Sequence, residues 1–207
     1  MKRIESANAW TLWTLYGSYA LVYAIPFLAC SAHARTCDPS LKDNYLSVSR
    51  VIRQTYWNTS FAFVSALFIS SLTYVLLLCT TSRFGRIAVV CSALCGIVPA
   101  VVPLNEHEGW DTVDVVHTAF AVASALFQAA YLVWILQSKS YAEWRTPLAV
   151  SAAVFFGATV ALAAATGARW GADSETEATK FTYFAAEYAI SATIFTMART
   201  VVVANQS

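Results

Sequence analysis

Long apolar runs separated by short polar breaks dominate this chain. Six of them, at residues 10–30, 57–79, 87–104, 113–136, 147–166 and 181–204, each approach or exceed the roughly 20 residues that a helix needs to cross a hydrocarbon core. The runs are continuous rather than alternating, which argues against the dyad pattern of a membrane β-barrel. Backbone polar groups find no water in lipid, so such runs fold as helices. The pattern predicts an all-α polytopic membrane protein. It is read as one domain over 1–207, a bundle of six transmembrane helices with an outer loop at 31–56.

Composition agrees. Of the 207 residues, 58% are hydrophobic and 12% charged, about half the charge of a soluble domain. Too few polar side chains remain to cover a water-facing surface. The net charge of +1 offers no basic field for phosphate backbones and disfavours nucleic acid as a partner. No cofactor is suggested, and Lys180 sits at a span edge rather than mid-membrane, where a retinal Schiff base would lie.

Cations in the short flanks give the orientation. Lys2, Arg3, Arg83, Arg86, Lys139, Arg145 and Arg199 fall on one side, which places both termini in the cytoplasm. The 105–111 loop has no Lys or Arg, and Asp173, Glu175 and Glu177 precede the last run. Indole rings favour the lipid–water boundary. Trp10, Trp13, Trp134 and Trp144 fall at inner edges, and Trp57, Trp110 and Trp170 at outer ones. The first run is longer than a signal-peptide core and is read as an uncleaved anchor, although Ala32-His33-Ala34 resembles a cleavage site. Cys30 and Cys37 approach the oxidising side, and their spacing leaves a disulfide open. The sequon at Asn58 sits too close to the membrane for modification. Ala161, Ala163, Ala164 and Ala165 suit close helix contact.

Ionisable groups inside apolar spans mark the first place to look for function. His117 lies about 9 Å and Glu187 about 10 Å below the outer surface, by the rise of about 1.5 Å per residue. The two are expected to meet in the outer half of the bundle, through a hydrogen bond or an ion pair. His117, Ala121, Ser124, Gln128 and Tyr131 recur at helical spacing and form one polar face, with Asp114 a turn above. Tyr183, Glu187 and Ser191 form a matching stripe on the last run. Such stripes serve either as interhelical glue or as the wall of a polar cavity. The candidate ligand-binding set is His117, Glu187, Gln128, Asp114 and Ser191, with Arg50 and Arg53 of the outer loop placed against lipid headgroups. A weaker metal alternative joins His107, Asp111 and His117; it lacks the two-histidine helical face of a zinc protease.

Several of these residues carry a resemblance. Cys37, then Asn44-Tyr45-Leu46-Ser47-Val48-Ser49 with Ile52, then Trp57, His117 and Phe184-Ala185-Ala186-Glu187-Tyr188 resemble motifs of the FRAG/DRAM/SFK family of six-span membrane proteins. The family's proline after Asn-Tyr-Leu is replaced here by Ser47. A related group of bacterial six-span proteins shares the Pro…His…Glu pattern, here Pro103, His117 and Glu187. The resemblance implies membrane lipids and other membrane proteins as partners. It implies a place in the Golgi, ER, lysosome or plasma membrane, and a role in lipid remodelling, GPI-anchor processing or autophagy, largely without catalysis. Two alternatives stand beside it. One is an intramembrane lipid hydrolase or acyltransferase with His117 as base, positioned by Glu187 or Asp114, with or without a metal. The other is an oligomeric transporter or channel, in which Pro99 and Pro103 break the third span.

Overall fold

The computed structural model describes residues 13–22, 24, 58–102, 112–170 and 176–206. Residues 13–22 are helical and are named α1. There follow α2 (Asn58–Cys79), α3 (Arg83–Val101), α4 (Thr112–Gln137), a 3-10 turn (Lys139–Trp144), α5 (Arg145–Trp170) and α6 (Glu177–Gln206). No strand occurs among the described residues.

Local chemistry sets the breaks. Ser82 lies in extended conformation ahead of α3, and its Oγ accepts from the Gly85 N–H at 3.4 Å. Such a cap satisfies a donor that the helix leaves free and contributes about 1 kcal/mol. The cap corrects the expected third run, since the helix begins at Arg83 rather than 87 and ends at Val101 rather than 104. Its two arginines therefore sit in the first turn, and both are exposed. At the other end Val102 is extended, with φ −105° and ψ 99°, as the residue before a proline must be to clear the proline ring. Pro99 stays inside α3, and it has no N–H to give to the Cys95 carbonyl. The expectation that it breaks the helix fails; Pro103 lies outside the described residues.

Phe61–Cys79, Arg83–Val101, Thr112–Gln137 and Lys139–Ala168 are long and apolar enough to cross a membrane. Their outward faces are apolar too. Phe63, Leu94, Leu126 and Val160 are each more than 60% exposed. Contiguous apolar surface on this scale is foreign to a water-soluble monomer and matches lipid as the solvent. α6 is long enough at 30 residues but carries Glu187 and Arg199 and is less apolar.

Helix neighbours follow chain order. α3 packs extensively on α4 and α5 on α6, α2 lies on α3, and the α4–α5 and α2–α6 contacts close a ring. α1 joins through Tyr19, which stacks on Phe195 of α6 at 4.0 Å and meets Phe68 of α2 at 5.6 Å between ring centroids.

The contiguous core lies mainly at one end of the ring. It includes Val75 and Leu76 of α2, Ile135 of α4, Leu148 of α5 and Val201 of α6. A buried polar cluster ties that end. The Tyr131 hydroxyl meets Thr80 Oγ1 at 2.8 Å, the Tyr141 hydroxyl donates to the Cys79 carbonyl at 3.1 Å, and Asn205 Nδ2 donates to the Tyr141 hydroxyl at 3.0 Å. The alanine run of α5 packs less than its composition suggests. Ala165 is buried, but Ala163 and Ala164 are exposed, because the alanines at 161 and 163–165 point in different directions around the helix and one direction alone meets a neighbour.

Candidate functional site

Toward the other end the ring opens around a cavity of about 740 Å³, reached by side chains from α2 to α6 and by Val22. That volume falls within the range of ligand sites, about 300–1,000 Å³.

α4 supplies the longest polar wall. His117, Ala121, Ser124, Gln128 and Tyr131 all line the cavity, since steps of three and four residues keep one helical face toward it. The α3 face opposite is made of small residues. Ser124 Oγ donates to the Ser92 carbonyl at 2.9 Å, and Ser92 Oγ lies 3.3 Å from both the Ser124 carbonyl and its Oγ. Gln128 Nε2 donates to Ser124 Oγ at 3.4 Å. Gly96 stands beside this pair, and a Cβ on it would lie 3.2 Å from Ser124 Oγ. Hydroxyls and a glycine let two backbones approach closely in a medium where polar groups have few other partners.

His117 is buried, and its Nδ1 is hydrogen-bonded to the Val102 carbonyl. A carbonyl only accepts, so Nδ1 carries the proton and, in the neutral ring, Nε2 is the acceptor. The bond fastens α4 to the C-terminal cap of α3. That bond occupies Nδ1 and leaves Nε2 for the expected meeting with Glu187. Both residues line the same cavity.

On α6, Tyr183, Glu187 and Ser191 line it as well. Asp114 is buried one turn before His117 but does not line the cavity; the turn that carries it lies beyond the cavity's end. Arg50, Arg53, His107 and Asp111 lie outside the described residues, as do Cys30 and Cys37. Among the described residues no group of three His, Cys, Asp or Glu side chains is placed to hold a metal. The described cysteines, Cys79, Cys91 and Cys95, are free thiols.

One lining residue escaped sequence reasoning. Ser65 of α2 is 5% exposed, lines the cavity, and its Oγ has no hydrogen-bond partner among the described residues. A lone serine in an apolar run gives no signal in sequence; only the neighbours around it make it unusual.

Fold and site together define a class: an all-α chain with four helices suited to a bilayer and a half-open, mainly apolar cavity with polar side chains on several walls. No family model, curated protein or solved structure matches it.

Proposed function

We propose that this is a multi-pass membrane protein that binds a lipid in the cavity, without catalysing its conversion. One observation carries the reading: polar residues from facing helices, His117 and Gln128 on α4 with Glu187 and Ser191 on α6, border a single space whose other walls are apolar. Such a wall suits an amphiphile, which hides its chain from polar groups and offers them its head.

On this reading α1 and α6 complete a six-span bundle with both termini in the cytoplasm. The stacking of Tyr19 on Phe195 supports it, as does the placement of cations in the short flanks. The densely packed end, with Thr80, Tyr141 and Asn205, then faces the cytoplasm. Arg50 and Arg53 would approach headgroups at the outer surface. Lipid remodelling or homeostasis in an endomembrane or the plasma membrane, as the FRAG/DRAM/SFK resemblance implies, is the biological form of this proposal.

Native mass spectrometry of the purified protein tests it. Wild type should retain a defined lipid. The double variant His117→Ala with Glu187→Gln should release it while still unfolding cooperatively as a folded bundle. A folded variant with an unchanged lipid profile overturns the reading.

A further inference from the structure

We infer that the cavity takes a single-chain amphiphile with an uncharged, hydroxyl-bearing head, inserted tail first, with its head at the level of Ser65 and His117. This rests on the lipid-site reading above and adds the class and direction of the occupant.

Register gives the direction. The Thr80–Tyr131 hydrogen bond fixes a common level at the packed end. Ser65 lies about 15 residues before Thr80 and His117 about 14 before Tyr131, so each stands about 21 Å above that level by helical rise. On α6 Asn205 reaches this level, through Tyr141 to the Cys79 carbonyl, and Glu187, 18 residues before it, stands about 27 Å above by helical rise. Ser65 and His117 therefore share one height on two helices, with Glu187 about one turn higher. Below them Thr73, Ser92, Ser124, Tyr131 and Thr159 also line the cavity, but their hydroxyls are already hydrogen-bonded within the protein, and Leu76, Val89, Phe155, Ile194 and Met197 are apolar. The cavity is graded along its length, with an unmade polar bond at one end and a satisfied floor.

Ser65 indicates what the polar end awaits. Helical hydroxyls ordinarily close on the carbonyl four residues back, and here Thr73, Thr80, Thr159, Thr166 and Thr193 all do so. Ser65 does not, and its buried Oγ stands without a partner among the described residues. Unmade bonds of buried polar groups are rare and point to a group from outside. His117 Nε2 adds an acceptor at the same height. A hydroxyl head gives to the imidazole and accepts from Ser65. No Lys or Arg is among the described residues that line the cavity, which leaves a phosphate head without a counter-charge there.

Size gives the chain count. At about 30 Å³ per water-sized group, 740 Å³ holds about 25 non-hydrogen atoms. That matches one fatty chain with a glycerol-sized head held between the walls.

Two photoreactive monoacylglycerols, one with a diazirine at the tail tip and one with it in the head, test the inference on the full chain in phosphatidylcholine nanodiscs. The tail probe should label Leu76, Val89, Phe155 or Met197, and the head probe the turns around Ser65 and His117. In Ser65→Ala, monoacylglycerol should compete about three- to tenfold more weakly, the range of one lost hydrogen bond, while a chain-matched hydrocarbon competes as before. Reversed labelling, or equal competition by lysophosphatidic acid, overturns the inference and leaves the cavity a lipid site. Labelling confined to the outward Phe63, Leu94 and Val160 overturns both readings. The labelling positions are read on wild type, so they decide the orientation even if Ser65→Ala fails to fold.

Discussion

Thr80 and Tyr131, 51 positions apart in the chain, share a hydrogen bond of 2.8 Å at the packed end of the cavity. Thr80 already donates to the Leu76 carbonyl at 2.6 Å, so the Tyr131 hydroxyl is the donor between them. Tyr131→Phe should therefore cost little, about 1 kcal/mol. Tyr131→Ala removes a ring that is 2% exposed and opens the floor, at about 3–5 kcal/mol. Thermal unfolding in detergent should rank the three proteins in that order.

Gly85 packs closely against Trp134 of α4 and Thr80. A Cβ there would stand 2.7 Å from Thr80 Cγ2 and 2.9 Å from Trp134 Cε3. Alanine favours a helix by up to about 1 kcal/mol over glycine, but overpacking at this site costs about 1–3 kcal/mol. Gly85→Ala should be net destabilising. Adding Thr80→Ser deletes Cγ2 and keeps the hydroxyl, and should recover part of the loss. A melting series of the single and double variants checks this; a stabilised Gly85→Ala would show that Trp134 yields.

The paired serines of α3 and α4 allow a coupling measurement. Ser124→Ala removes the donor to the Ser92 carbonyl and the acceptor for Gln128, whereas Ser92→Ala leaves both in place. Ser124→Ala should be the more costly of the two, and their coupling in a double-mutant cycle should be about 0.6–1.7 kcal/mol, the scale of interhelical bonds in bilayers. Reversible unfolding in mixed micelles supplies the four free energies.

His117 has two ring nitrogens with separate tasks. An asparagine places its amide N–H near the position of Nδ1, and a glutamine places its polar end near Nε2. His117→Asn should keep the bond to Val102 and the melting temperature, yet lose the retained lipid. His117→Gln should lose stability by about 1 kcal/mol and keep more of the lipid. Melting curves and native mass spectra of the two variants separate the roles, and identical behaviour would assign the imidazole to structure alone.

The apolar runs by themselves determined the helices. α2 and α4 lie within one residue of the bounds read from sequence, because lipid leaves no other way to satisfy a long apolar backbone. Spacing alone also determined which residues share a helical face, so His117, Ser124 and Gln128 line one wall as their steps of three and four require. The tertiary structure decided what faces them. That His117 bonds to Val102 depends on how one helix ends beside another, and no periodicity records that. Ser65 looked like any serine in an apolar run until five helices closed around it, and Asp114 fell beyond the cavity's end. Sequence fixes the direction of a side chain around its own axis, whereas partners and vacancies arise from the relative positions of separate axes, which packing alone sets.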